Sequence, residues 1–209
     1  MAPGRRAFMS VSVLKLGEVL FAPNRVFERL AQAQVAPADV FFGLTLWLAL
    51  IPPVCTFIGT MRFGWLLGVE PLILPPRMVL AVSVAYFAML LLGFMTTAFI
   101  SRWMASTYQA TDSLGRSFAL ITIVGAPLAV GGLVHLYPHA FINVLVLVPI
   151  LIWSIYLLYR GLPIVLETGP ERGMLMASAL VGYLLVAWVS LIGITVVLWG
   201  YGFGPNVGV

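Results

Sequence analysis

Five long stretches of this sequence contain no aspartate, glutamate, lysine or arginine, and this pattern constrains the fold more than any other feature. The stretches cover residues 40–60, 78–100, 117–137, 140–159 and 173–200. A helix needs about 20 mostly apolar residues to cross the hydrocarbon core of a bilayer. A membrane barrel would instead show alternating segments of roughly ten residues. The sequence therefore predicts an all-α membrane protein, built as a bundle of five transmembrane helices.

The composition supports this prediction, because 62% of the 209 residues are hydrophobic and only 9% are charged. Soluble domains carry about 25% charged residues. The net charge of +4 comes from basic residues that are scattered singly along the chain. A nucleic-acid-binding protein would carry them as a patch or a run. We therefore expect membrane lipids as partners and no nucleic acid.

The distribution of basic residues predicts the orientation of the bundle. With five crossings, the N-terminal segment and the loops after the second and fourth spans lie on the same side of the membrane. Of the 11 basic residues, only Arg62 and Arg77 fall on the other side. Basic segments stay in the cytoplasm. We therefore expect a cytoplasmic N-terminus and a C-terminus outside.

An aromatic and basic cluster stands at the predicted cytoplasmic end of the fourth span. Trp153, Tyr156 and Tyr159 carry amphipathic rings, which favour the membrane interface. Arg160 follows them and can reach the lipid headgroups. Gly161 is then predicted to end the helix. The alternative is that this cluster contacts a partner protein or a particular lipid.

Residues 1–36 precede the first span and are predicted to form a cytoplasmic or interfacial segment, whereas residues 37–209 form the transmembrane domain. Within this segment, residues 24–34 have the pattern of a short amphipathic helix, with Phe27 on the apolar face and Arg29 on the polar face. Such a helix can lie on the inner leaflet as a collar. The alternative is that Phe27 and Arg29 contact a partner protein.

Several spans contain residues that bend a helix or let two helices approach closely. Proline removes a backbone donor and bends a helix. Small residues four positions apart allow close contact between helices in lipid. The sequence predicts bends at Pro52, Pro53, Pro127 and Pro149, and close packing at Gly125, Ala129, Ser178 and Gly182. The alternative is that a proline-broken helix lines a path for a solute.

The sequence contains no recognisable set of catalytic residues. Its serines lack the G-x-S-x-G elbow, and Cys55 lies in an apolar run without a basic neighbour. Proton relays and ion-coupled transporters keep ionisable residues inside the membrane. The polar residues predicted at depth are uncharged, and we expect hydrogen bonds between helices to account for them: Ser83, Thr122, Asn143, Ser154 and Ser190. We therefore predict that the protein is not an enzyme.

His135 and His139 are the one pair with the spacing of metal or haem ligands. Pro138 lies between them, and no carboxylate or cysteine is close in sequence to complete a ligand set. We therefore interpret them as two interfacial histidines and predict neither a metal site nor a cofactor.

Several segments resemble a known family. FAPNRVFERL precedes the first span, SFALITIVGAPLAVGGLVHLYP contains the third, and WSIYLLYRGLPIVLETGPERGMLMA links the fourth and fifth. The residues that carry the resemblance are Pro23, Phe27, Pro127, Pro138, Trp153 and Gly161. The chain resembles the Yip family, the Ypt-interacting proteins, in its compact bacterial form.

This resemblance implies a five-span bundle in the bacterial cytoplasmic (inner) membrane, with a cytoplasmic N-terminus. Eukaryotic relatives act in vesicle traffic and associate with small Rab-type GTPases. The present chain lacks the long polar domain and the DLYGP-like segment of that branch, so GTPase binding is not carried over to it. What the resemblance implies is a membrane organiser or an accessory subunit.

Three hypotheses for the function follow. The first is a non-enzymatic scaffold, organiser or accessory subunit that associates with other membrane proteins or with itself. The second is a small-solute channel or transporter that uses proline-broken helices. The third is a lipid-handling or membrane-shaping protein that binds anionic lipid through its basic N-terminal segment.

Overall fold

The computed structural model describes residues 16–66 and 70–200. Two short helices come first, α1 (Leu16–Phe21) and α2 (Pro23–Gln32). Five long helices follow: α3 (Pro37–Phe63), α4 (Pro76–Ala105), α5 (Leu114–Leu136), α6 (Ala140–Val165) and α7 (Pro170–Gly200). The prediction of orientation uses Arg5, Arg6, Lys15 and the neutral tail after residue 200. These residues lie outside the described part of the chain.

These five long helices are each long and apolar enough to cross a membrane, which confirms the prediction of a five-span all-α bundle. The helices extend beyond the predicted spans. Helix α4 runs from Pro76 to Ala105 instead of from 78 to 100, and α6 continues to Val165 instead of ending at 159. Hydropathy detects the part of a helix that lies in hydrocarbon, whereas hydrogen bonding continues the helix into the headgroup region.

Helix α5 lies at the centre of the bundle. In its most apolar stretch 61% of the residues are buried by the rest of the protein, compared with 11% in α4 and 17% in α6. It packs against α3, α4 and α6, and its side chains Leu120 and Ile123 are among the most deeply buried in the core. Helices α3, α4 and α6 pack around α5, whereas α7 packs mainly against α6 and α4, and these outer helices expose apolar side chains.

Two features join α3 to α5. The first is a π-helical turn, Phe41–Thr45, at which the hydroxyl of Thr45 lies 2.8 Å from the hydroxyl of Thr122 in a buried hydrogen bond between the helices. The second is the packing of Pro52 against Gly132, where an added Cβ would lie 2.6 Å from Cγ of Pro52. Helix α3 continues through Pro52 and Pro53, and both prolines are buried.

The two loops at one end of the bundle, residues 106–113 and 166–169, are joined by a set of bonds that we call the loop clasp. The amide of Thr111 donates to the carbonyl of Leu166 at 2.7 Å, and the hydroxyl of Thr168 donates to the carbonyl of Tyr108 at 2.8 Å. We call this end, which also carries α2, the basic end, because six of the eight arginines among the described residues lie there: Arg25, Arg29, Arg102, Arg116, Arg160 and Arg172. The other end is the opposite end.

The loop clasp includes a carboxylate whose ionisation makes it sensitive to acid. The Thr111 hydroxyl donates to Oε2 of Glu167 at 3.0 Å, and a guanidinium nitrogen of Arg116 lies 3.0 Å from the same oxygen. The hydrogen bond from Thr111, followed by the hydrogen bond and charge of Arg116, holds the pKa of Glu167 below its ordinary value of 4.5. A carboxylate whose pKa is lower in the folded state stabilises the fold above its unfolded-state pKa, and this contribution is lost as the pH falls through the folded-state pKa.

We therefore expect wild type to melt at a slightly higher temperature than Glu167→Gln at neutral pH, with a small difference because the carboxylate is exposed to solvent. The difference should vanish when the pH is lowered well below 4.5. Thermal unfolding of both proteins across this range measures it. A difference that stays constant with pH would show that the ionised carboxylate does not contribute.

Candidate functional site

At the basic end, α2 packs against the ends of α5 and α6 through an aromatic anchor. Phe27 is fully buried and lies against Gly161. A Cβ added at Gly161 would lie 2.8 Å from the Phe27 ring and 2.8 Å from Cδ1 of Leu120. The missing side chain of Gly161 therefore provides the space that Phe27 occupies. These two residues, which carry the family resemblance separately in the sequence, contact each other in the fold.

The prediction that Gly161 ends the fourth span is wrong. Helix α6 continues through Gly161 and Pro163 to Val165. The chain leaves the helix at Glu167, whose φ of 51° lies in the left-handed region. A glycine can stand inside a helix where a neighbouring side chain needs the space of its Cβ. Gly161 stands inside α6 because the Phe27 ring occupies that space.

The amphipathic pattern of α2 is confirmed, but its apolar face contacts protein where lipid was expected. The buried residues of α2 are Val26, Phe27, Leu30 and Ala31. Arg25 and Glu28 on its other face are exposed. Arg29 donates to Glu18 of α1 at 2.9 Å, an exposed ion pair worth less than about 1 kcal/mol. Helix α2 therefore packs across the basic end of the bundle, on the ends of α5 and α6.

The aromatic cluster on α6 divides between two faces of the helix. The rings of Trp153 and Tyr156 lie 5.1 Å apart, and the guanidinium of Arg160 lies 5.9 Å from the ring of Tyr156. Helical spacing of three and four residues places these three side chains in a row. Tyr159 lies on a different face and pairs with the hydroxyl of Ser178 on α7 at 2.8 Å. Tyr156 and Arg160 are exposed and face outward, Trp153 is half-buried against the core, and Tyr159 joins two helices.

The small residues predicted for close packing also divide. Gly125 lies against α4, since an added Cβ would come 2.6 Å from the ring of Phe94, and Ala129 is buried. Ser178 and Gly182 are exposed, and an added Cβ at Gly182 would have no neighbour within 4 Å. Within the described chain, Ser178 therefore meets α6 only through its hydrogen bond to Tyr159, and Gly182 makes no close contact. The reason is the rotation of α7, which turns a different face inward: Gly173, Met176, Ala177 and Leu180.

The remaining predicted prolines lie in continuous helices. Pro127 is half-buried in α5, and Pro149 is exposed on the outer face of α6. Both helices continue past them.

At the opposite end, a cavity of about 320 Å³ lies between the helices. It is lined by Thr56, Trp65, Val82, Tyr86, His135 and Asn143. The hydroxyl of Tyr86 lies 3.4 Å from Nε2 of His135, and their rings are stacked. The amide of Leu66 donates to the carbonyl of Pro138 at 3.0 Å, which holds the loop after α3 beside the cavity.

The two histidines have different surroundings. His135 lines the cavity, whereas His139 lies outside it and stacks on Tyr137 with ring centres 6.0 Å apart. Within the described residues, no group of three potential metal ligands (histidine, cysteine, aspartate or glutamate) comes together.

Hydrogen bonds between helices account for only one of the polar residues that the sequence places at depth. Thr122 pairs with Thr45, but Ser83, Asn143 and Ser154 each have a buried oxygen without a hydrogen-bond partner in the described structure. Ser190 is exposed. Tyr86 and Trp65 were not predicted as site residues, because an aromatic side chain in or near a span carries no sequence signal for a cavity.

Together these features define a class, a polytopic membrane protein with five spans and a short amphipathic cover at its basic end. A comparison with family models agrees: the Yip1 domain matches residues 17–191, from α1 through most of α7. The chain therefore belongs to the Yip1 family.

Two curated relatives are similar over most of their length. The chain is 34% identical to inner membrane protein YohC of Escherichia coli K12 over 159 residues, which cover 76% of this chain and 82% of the relative. The same identity and coverage hold for YohC of Escherichia coli O6:H1. No solved structure matches the chain significantly. Five membrane-length helices and this relationship establish an integral protein of the bacterial inner membrane.

Proposed function

We propose that the protein is a non-enzymatic accessory subunit or organiser of the inner membrane, which associates with another membrane protein or with a second copy of itself. The observation that carries this proposal is the second half of α7. Met176, Ala177 and Leu180 in the first half are fully buried, whereas Val186 and Trp188 are 67% and 63% exposed. The consecutive residues Leu184, Leu185 and Val186 are all exposed, so more than half of the helix circumference is open at this level, whereas Tyr183 on the remaining side bonds to Thr96 of α4.

The exposed half of α7 has a composition suited to a contact between helices. Gly182, Val186, Ser190 and Gly193 follow one another at helical spacing on one face, and all four are exposed. An added Cβ at Gly193 would have no neighbour within 4 Å. In lipid, helices associate through close packing at small residues, because apolar burial provides no driving force there. This face therefore supports a contact with a helix from outside the chain.

The experiment is native mass measurement after extraction in a mild detergent. We expect a complex heavier than the 22.7 kDa chain, either a homo-oligomer or a co-purified membrane protein. Gly193→Leu should lower the complexed fraction, because the added side chain separates the two helices. Gly93→Leu is the matched control, since an added Cβ at Gly93 also has no neighbour within 4 Å but lies on α4. A wild-type chain that remains a partnerless monomer would contradict the proposal.

The cavity at the opposite end is the observation that favours a small-solute channel or transporter instead. The basic half of the bundle opposes it, because Phe27, Leu120 and Leu157 are fully buried there and fill the interior. Flux of a small solute into liposomes separates the two hypotheses. Flux that Gly125→Leu abolishes would favour transport, because this leucine would act inside the bundle beside Phe94.

A further inference from the structure

We propose that the cavity at the opposite end is a binding site for a small uncharged molecule with a flat apolar frame and an amide or hydroxyl group. This proposal does not rest on association through α7. The cavity of about 320 Å³ is near the lower limit of about 300 Å³ for small-molecule sites. Its walls come from α3, α4, α5, α6 and the loop after α3, so the tertiary fold creates it.

Two polar atoms of the lining residues are left without partners by the protein. Oδ1 of Asn143 and Nδ1 of His135 are both buried, and neither has a hydrogen bond in the described structure. Burying such groups unpaired is unfavourable. The other ring nitrogen of His135 lies 3.4 Å from the Tyr86 hydroxyl, so Nδ1 is the ring nitrogen without a partner, and the imidazole has to turn toward the cavity for a bound molecule to reach it.

Further hydrogen-bonding capacity lies beside these atoms. The hydroxyl of Thr56 donates to the carbonyl of Pro52 at 2.9 Å, so its oxygen can still accept a hydrogen bond. The amide nitrogen of Asn143 can donate. A ligand with an amide group therefore finds both donors and acceptors in the cavity.

The lining also determines what the ligand's frame and charge must be. Trp65 and Tyr86 contribute aromatic surfaces and Val82 an aliphatic one, which fits a flat apolar ring. None of the six lining residues is aspartate, glutamate, lysine or arginine. A charged ligand would lose its hydration without gaining a counter-charge, and this is strongly unfavourable in an apolar surrounding. The chemistry therefore selects an uncharged molecule.

Benzamide is a suitable probe, and benzoate is its charged counterpart of the same shape. We expect saturable binding of benzamide to the detergent-solubilised full chain, measured by tryptophan fluorescence, with the signal reduced in Trp65→Phe. Benzoate should bind at least about tenfold more weakly. Saturation distinguishes a site from partition into the micelle. Absence of saturable benzamide binding, which would mean that the cavity takes up water only, or equal binding of benzoate would overturn the proposal.

Two variants test the position of the site, with calorimetry as the readout. Asn143→Leu should weaken benzamide binding about tenfold, because it removes the unpaired oxygen, and it should leave the protein folded. Val82→Phe should abolish binding by filling the cavity. Ser154→Ala is the control, since it removes a buried unpaired oxygen on the same helix that does not line the cavity. Unchanged binding in both cavity variants would place the benzamide elsewhere and refute the assignment, and Gly193→Leu should leave binding unchanged.

Discussion

Replacing Gly161 with leucine is expected to lower the free energy of unfolding by about 3 kcal/mol or more. The new side chain would occupy the space of the Phe27 ring, whose nearest atoms lie 2.8 Å from an added Cβ, and would meet Leu120 at the same distance. Phe27 is fully buried and therefore has to leave its site. Expulsion of a buried phenylalanine costs about as much as its deletion, roughly 3–5 kcal/mol, which exceeds the gain in helix propensity of about 1 kcal/mol.

The measurement is thermal unfolding of the detergent-solubilised protein, combined with limited proteolysis of the N-terminal segment. Release of α2 should make the chain around Phe27 sensitive to protease while the spanning helices stay protected. Gly93→Leu is the control, because an added Cβ there has no neighbour within 4 Å. If Gly161→Leu and Gly93→Leu gave equal stability and equal protection, the anchoring of α2 through Phe27 would be refuted.

The second large effect is expected for a much smaller change, Gly59→Ala on α3. An added Cβ would lie 2.7 Å from the carbonyl oxygen of Leu136 and would also contact the carbonyl oxygen of His135. Both neighbours are backbone atoms, so no side-chain rotation can relieve the overlap, and the ends of α3 and α5 have to separate. Alanine improves helix propensity by about 1 kcal/mol, but we expect the overlap to dominate and to destabilise the protein by about 2 kcal/mol.

Chemical or thermal unfolding of the variant measures this effect, and Gly93→Ala should be neutral or slightly stabilising. The separation of α3 and α5 should also distort the cavity, which is lined by Thr56 of α3 and His135 of α5. Benzamide binding should therefore weaken in Gly59→Ala. A variant as stable as wild type would mean that the two helices do not approach closely at Gly59.

Particular helices show how far sequence reasoning extends in this protein. The run from 117 to 137 predicts the span α5, but it contains no signal that α5 is the central helix. In lipid a spanning helix is apolar on every side, so hydrophobic periodicity does not indicate which face is buried. The same limitation explains α7, where Gly182 was predicted at a close helix contact but the face that carries Met176 and Leu180 is the buried one.

The collar shows the reverse situation. The pattern around Phe27 correctly predicts which face of α2 is apolar, because this helix lies in a polar region and periodicity is informative there. The pattern contains no information on what covers that face. Lipid tails and apolar side chains would bury this face equally well. The close contact between Phe27 and Gly161 shows that the face of α2 packs on the protein.

Hydropathy and the absence of charge are sufficient to establish the class of fold, the number of spans and their approximate positions, because the cost of burying charge in hydrocarbon acts on each segment separately. Which helices touch, where glycines admit a neighbour and where polar atoms meet around a cavity depend on side-chain shape across residues far apart in the chain. His135 and Asn143 line the same cavity because α5 and α6 pack beside α3 and α4. That arrangement depends on three-dimensional packing, which no local property of the sequence encodes.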